Sequence, residues 1–349
     1  MSTGSVGRAI QQAVRHSCSH PPARPSPSDG QRSAPPRKKR TIMDLTTFKR
    51  KNIPITMLTA HDYPSARFIE QAGSTAVQDE RSPVHASGDE SASTTAPTHK
   101  RGVDICLVGD SLAMVACGYT STTSLTLDEM LYHCRSVARG CHSSLLVADM
   151  PFGTYSVSPE EAMRNAIKII QDGDMDAVKI EGGEEIRDIV HHLTSRGIPV
   201  MAHIGLTPQR QSALSGYRVQ GKTVQSALKV WKDAQILQEA GAFSILVEAV
   251  PHKLGEWISE RLEVPTIGIG AGNGCDGQVL VQLDMLGVSS LSKGPRFLKH
   301  YGDMELQATS SIQSYIQDVR AREFPNNEQQ GYPVADEQWH GFLQAVNHV

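Results

Sequence analysis

Acidic residues recur at one kind of place in this chain. Asp110 follows an apolar run in Leu-Val-Gly-Asp-Ser, and Asp149 follows another in Leu-Val-Ala-Asp-Met-Pro. Glu181 stands at the end of Val-Lys-Ile-Glu-Gly-Gly, His203 ends a further run, and Glu248 closes Ile-Leu-Val-Glu-Ala. One carboxylate after an apolar segment serves equally well as a helix cap; four at the same end of successive segments point to a shared site. Carboxylates brought together repel unless positive charge sits among them. A hard cation with oxygen ligands, Mg²⁺ most naturally, meets that demand. Asp110, Asp149 and Glu181 are its candidate ligands, directly or through water, with positions left for a chelating substrate. Zinc is disfavoured, because no Cys and a single His stand at these ends.

Lys179 lies two residues before Glu181, so on a strand both side chains point the same way. It is placed either to bind a substrate carboxylate or to pair with Glu181. A metal chelating the carboxylate and keto oxygen of a 2-keto acid lowers the cost of forming an enolate at the next carbon. A further carboxylate then takes the proton, and Glu248 is the candidate base because the other acids are engaged by metal. A fourth ligand or a core ion pair is the alternative role for Glu248.

These residues need a frame that brings strand ends together. Apolar, β-rich runs occur at Ile55–Ala60, Ile105–Asp110, Ser144–Asp149, Ala177–Gly182, Ile198–Gly205, Ser244–Ala249, Pro265–Gly272 and Leu280–Gly287. Most are continuous rather than alternating, as in parallel strands covered on both faces. Helical stretches separate most of them. Thr126-Leu127-Asp128-Glu129 opens one, with Met130, Cys134, Val137 and Ala138 on one face. Ser158-Pro159-Glu160-Glu161 reads as a capping box for another, and Asp172-Gly173 ends it. Ile186, Ile189, Val190 and Leu193 give a third its apolar stripe. Eight strands with helices between them predict a (β/α)8 barrel, with a doubly wound open sheet as the alternative.

The 349 residues suit one such barrel or two ordinary domains, and no run of 18 apolar residues exists to span a membrane. Charge is uneven: residues 1–40 hold eight basic residues against one acid, leaving 26 basic and 36 acidic residues in the remainder. An acidic body argues against nucleic-acid binding. The Ser-, Pro- and Arg-rich leader, residues 1–41, reads as a mitochondrial transit peptide, with a cytosolic tail or a basic nuclear signal at Arg37–Arg40 as alternatives. Residues 74–101 are dense in Ser, Thr, Asp, Glu and Pro without periodicity, and read as a disordered insertion on the barrel face opposite the site. The barrel is expected over 42–325, with a tail at 326–349. Six cysteines, Cys18, Cys106, Cys117, Cys134, Cys141 and Cys275, form no C-x-x-C pair and read as reduced core thiols.

Seven motifs occur in register. They are Thr-Ala-His-Asp-Tyr (59–63), Val-Gly-Asp-Ser-Leu (108–112), Ala-Asp-Met-Pro-Phe (148–152), Val-Lys-Ile-Glu-Gly-Gly (178–183), His-Ile-Gly-Leu-Thr-Pro-Gln (203–209), Gly-Tyr-Arg-Val-Gln-Gly (216–221) and Ile-Gly-Ile-Gly-Ala-Gly (267–272). Together, from about residue 42 to about 325, they resemble the ketopantoate hydroxymethyltransferase family. The resemblance implies a (β/α)8 TIM barrel of the phosphoenolpyruvate/pyruvate superfamily. It also implies hydroxymethyl transfer from 5,10-methylenetetrahydrofolate to 3-methyl-2-oxobutanoate, giving 2-dehydropantoate on the way to pantothenate and coenzyme A. It places metal carboxylates on Asp110, Asp149 and Glu181, keto-acid contacts on Asp110, Ser111, Asp149 and Lys179, and the proton acceptor on Glu248. It puts His203 behind the substrate contacts and implies a homo-oligomer. His61 stands where bacterial members often carry Tyr, residues 287–297 follow the family loosely, and no folate signature is legible. A Mg²⁺-dependent 2-keto-acid carbon–carbon lyase and an inactive paralogue are the alternatives.

Overall fold

Eight parallel strands pair in sequence order, and the last returns to the first, so the sheet closes into a barrel. The computed structural model describes residues 37–73, 102–211, 216, 218–288 and 294–347. Nearly all of the predicted leader and the whole 74–101 insertion lie outside them. The strands are β1 (Ile55–Thr59), β2 (Ile105–Val108), β3 (Leu145–Asp149), β4 (Ala177–Glu181), β5 (Val200–Gly205), β6 (Ser244–Glu248), β7 (Thr266–Ile269) and β8 (Gly277–Leu280). Parallel pairing of Ile55 with Gly277 settles closure against the open doubly wound sheet.

In chain order the helices are α1 (Ile42–Arg50), α2 (Tyr63–Ala72), α3 (Leu112–Val115), α4 (Leu127–Ala138), α5 (Pro159–Gln171), α6 (Arg187–Thr194), α7 (Val224–Glu239), α8 (His252–Arg261), α9 (Gln282–Met285), α10 (Met304–Ala321) and α11 (Asp336–Val346). Two apolar cores result, because alternate residues of a strand face opposite sides. Inside the barrel pack Ile55, Met57, Ile105, Leu145, Val147, Met201 and Leu246, and α1 plugs the lower mouth with Leu45 and Phe48. Outside, Cys106, Val108, Leu146, Val178, Ile180 and Ile245 pack against the helices. The strands read as unbroken apolar runs because both phases are buried.

Three aspartates tie strands together at the lower rim. Asp104 Oδ2 accepts the Thr56 amide at 3.0 Å, Asp176 Oδ2 that of Leu146 at 2.8 Å, and Asp276 Oδ2 that of Thr266 at 2.8 Å. Each also takes a cation: Arg40 on Asp104, Lys39 on Asp176 and Lys49 on Asp276. Part of the basic run read as a targeting signal is therefore engaged in holding the barrel.

The predicted eighth strand needs correcting. Leu280–Gly287 contributes only its first residue; the strand is Gly277–Leu280, and α9 follows at once. Gly277 lies between β1 and β7, and a Cβ there would come within 2.5 Å of the Ile55 carbonyl oxygen. A strand that must begin on Gly carries a weak apolar signal. The capping box at Ser158 is also only half formed: its hydroxyl accepts the Glu161 amide at 3.1 Å, while Glu161 Oε2 has no hydrogen-bond partner among the described residues. The box at Thr126 is complete. Four described cysteines are buried, but Cys117 is exposed; Cys18 lies outside the described residues. Among the described residues no helix is long and apolar enough to cross a membrane.

Candidate active site

The inward phase that fills the barrel with hydrocarbon turns polar at its upper end. Asp149 stands two residues above Val147, Lys179 and Glu181 above Ala177, His203 above Met201 and Glu248 above Leu246. Strand register then sets them side by side, Asp149 opposite Lys179 and Glu181 opposite His203. Asp110 comes from the turn just past β2, where its amide donates to Asp149 Oδ2 at 2.9 Å. Every candidate metal, substrate and base residue, with Ser111 and His203 included, lines a single cavity of about 850 Å³ at the C-terminal ends of the strands. That is where barrel enzymes place their chemistry. His61 does not line it.

Lys179 is the hub. Its ammonium lies 3.0 Å from Asp149 Oδ1, 3.1 Å from His203 Nδ1 and 3.9 Å from Glu181 Oε1. Burial alone would lower its pKa, but the carboxylates of Asp149, Glu181 and Asp110 outweigh it and hold the cation above the usual lysine range. Burial, with Lys179 beside it, keeps His203 neutral, its pKa well below the ordinary value. Since an ammonium only donates, His203 Nδ1 accepts from Lys179, and the ring hydrogen is assigned to Nε2. Nε2 faces Glu248 Oε2 at 3.2 Å, off the line of a well-formed hydrogen bond.

The acids outnumber the cation, and their protonation reflects it. Burial, then the Asp149 charge, pushes Asp110 up to about 7. Burial raises Glu181 well above the carboxylate range despite Lys179. Glu248, 14% exposed to the cavity, is raised by burial to about 8. A carboxyl that exchanges its proton near neutral pH is suited to general-base work.

Two residues that sequence reasoning missed orient this set. Gln209 donates from Nε2 to Asp110 Oδ2 at 2.8 Å and to the Met150 carbonyl at 2.9 Å, while its amide donates to Glu181 Oε2 at 3.0 Å. Its own Oε1 accepts the Tyr155 hydroxyl at 2.7 Å. Gln209 ends the His-Ile-Gly-Leu-Thr-Pro-Gln motif, which was its only signal; Tyr155, in a loop after β3, had none. The cavity also has an apolar lining that includes Leu206, Ile269 and Phe297, and its lining residues Arg218 and Arg296 are exposed.

A closed (β/α)8 barrel with buried acids, a lysine and a histidine gathered at the strand tops defines a barrel enzyme. Comparison narrows that class. The family model for ketopantoate hydroxymethyltransferase matches residues 75–327. The 3-methyl-2-oxobutanoate hydroxymethyltransferase of Emericella nidulans is 46% identical over 338 residues, covering 97% of this chain and 86% of its own. The enzyme of that name from Acaryochloris marina is 44% identical over 286 residues, 82% of this chain and 98% of its own. A crystal structure of phosphoenolpyruvate phosphomutase from Streptomyces platensis subsp. rosaceus aligns over 88% of this chain and 96% of that one, at 14% identity and a TM-score of 0.49. The chain belongs to the ketopantoate hydroxymethyltransferase family.

Proposed function

We propose that this enzyme transfers a hydroxymethyl group from 5,10-methylenetetrahydrofolate to 3-methyl-2-oxobutanoate, forming 2-dehydropantoate for pantothenate synthesis. The observation that carries the reading is Glu248, a carboxyl raised to about 8 in the same cavity as Lys179 and the three other acids. Its ionised form accepts the proton from the carbon next to the keto group. Lys179 offers the keto acid's carboxylate a permanent positive charge, and Asp110, Ser111 and Asp149 position it. His203, between Lys179 and Glu248, steers the base rather than touching the substrate. The cavity volume of about 850 Å³ far exceeds what a five-carbon keto acid fills, which supports a second, larger ligand against the apolar wall.

The donor set fits a hard divalent cation. Asp110, Asp149 and Glu181 offer oxygen alone, Asp149 Oδ1 has no well-aligned hydrogen bond, and one lysine balances three acids. Among the described residues no three His, Cys, Asp or Glu side chains form a ready-made ligand cluster. Mg²⁺ is commonly held by one or two carboxylates with water and substrate completing its shell, and these acids would hold it in that manner. When bound, the ion supplies Lewis acidity that lowers the cost of the enolate.

The purified chain, incubated with 3-methyl-2-oxobutanoate, methylenetetrahydrofolate and Mg²⁺, is expected to yield 2-dehydropantoate by mass spectrometry, and a chelator should abolish it. Cleavage of a 2-keto acid without folate, or silence under all conditions, would overturn the reading. Self-association belongs to the same proposal. Ile312, Tyr315, Ile316 and Val319 form one exposed apolar face of α10, a helix with no buried residue, and a second copy of the chain is the occupant proposed for it.

A further inference from the structure

Outside the cavity, one thiol stands against a histidine in the order that nucleophilic sites use. Cys117, two residues past α3, is exposed, whereas the other described cysteines are buried. Its Sγ lies 3.7 Å from Nε2 of His133 on α4. On the far side of that ring, Nδ1 is 2.5 Å from the carbonyl oxygen of His61, at the end of β1. A carbonyl can only accept, so the neutral imidazole carries its hydrogen on Nδ1 and turns the Nε2 lone pair to the thiol. Nucleophile, base and orienting group thus follow in line, as in activated thiols generally.

The neighbours are accounted for. Glu129, one turn before His133, is occupied by the Tyr119 hydroxyl at 2.5 Å and by its capping bonds to Thr126. Asp62 Oδ2 faces His61 Nε2 at 3.6 Å. Burial, then the Glu129 charge, raises the Cys117 thiol above its ordinary value. The sulfur therefore rests as a thiol and depends on His133 to lose its proton, rather than standing ready as a thiolate.

We propose that Cys117 is a modification site, a thiol assisted by His133 that exchanges with small disulfides to form a mixed disulfide. Cys117 Sγ attacks one sulfur of R–S–S–R′; a Cys117 S–S–R bond forms as the R–S–S–R′ bond breaks. The thiol proton passes to His133 Nε2 and from there to the departing R′–S⁻, which leaves as R′–SH. The disulfide is consumed and no other oxidant is needed. The adduct stands beside the active cavity: Met114 and Val115 of α3 line it, and the Cys117 amide is bonded to the Leu112 carbonyl at 2.9 Å.

The test uses the full chain under native conditions with 5,5′-dithiobis(2-nitrobenzoate), following release of the coloured thiolate and locating the adduct by peptide mass spectrometry. The fastest phase is expected to map to Cys117, to vanish in Cys117→Ser, and to slow at least about tenfold at neutral pH in His133→Gln. Equal Cys117 rates with and without His133, or a fastest phase on another cysteine, would overturn the proposal. If circular dichroism finds His133→Gln unfolded, the wild-type pH profile decides. An inflection in the imidazole range supports base assistance, and a rate that simply tracks thiol ionisation refutes it.

Discussion

Glu248, the proposed base, shows how placement, more than residue type, sets the pKa of a carboxyl. Above Leu246 on β6 it is inward by phase and short of water, and burial raises its carboxyl to about 8. Only the ionised form accepts a proton, so turnover should climb with pH through about 8 and fall away below it; a pH–rate profile checks this. Glu248→Gln should keep keto-acid affinity in titration calorimetry while turnover drops by at least about 10²-fold. The same shift has a sign for stability. The folded state holds a proton that the unfolded carboxyl has already released, so Glu248 costs stability as pH rises from the ordinary carboxylate range to about 8. Urea titrations above that range should find Glu248→Gln more stable than the parent. Asp149→Ala should weaken Mg²⁺ and keto-acid binding together, and full keto-acid affinity in that variant would remove Asp149 from the chelating role. Gln209→Leu should leave the Tyr155 hydroxyl with only the longer 3.2 Å bond to the Glu181 carbonyl and loosen Asp110, costing about 1–3 kcal/mol in denaturant unfolding along with keto-acid affinity.

At the scale of elements, the barrel depends on devices outside the periodic pattern. Asp276 takes the amide and hydroxyl of Thr266 at 2.8 and 2.9 Å and the Lys49 ammonium at 2.7 Å, joining β7, β8 and α1. Asp276→Ala should cost about 2–3 kcal/mol, read as a lowered urea midpoint with an unchanged slope. Gly270, at φ +65°, ends β7 with its α-carbon against Phe297; a Cβ there would meet the ring at 2.6 Å. Six strands were legible to within two residues at each end, because both phases of a buried parallel strand are apolar and turn residues bound them; the reading Pro265–Gly272 overran β7 by three residues at its end. β8 was displaced because its pairing with two neighbours demands Gly, which carries no hydrophobic signal. Gln209 and Tyr155 escaped for a related reason: hydrogen-bond partners far apart in the chain leave no periodic trace.

For the whole molecule, α10 and α11 pose the question of what covers them. Neither has a buried residue; Ile312 is 59% and Tyr315 56% exposed on α10, and Trp339 stacks on Phe342 on α11. If a second copy covers α10, Ile312→Glu should shift the sedimentation coefficient to a smaller species with the barrel's circular dichroism unchanged. By itself the sequence determined the parallel strands with helices between them, since strand period, helix stops and the acids at four strand ends are local properties read one segment at a time; closure into a barrel was decided by the pairing of β1 with β8. It also put Asp149, Lys179, Glu181, His203 and Glu248 on one inward phase of neighbouring parallel strands, whereas Asp110 reaches the site through the turn past β2. Only the tertiary structure decided where β8 starts, that Lys179 rather than any other group bridges Asp149 and His203, and that Gln209 and Tyr155 hold the acids in place. Those depend on closure between β1 and β8 and on distances across the barrel, which no local pattern encodes.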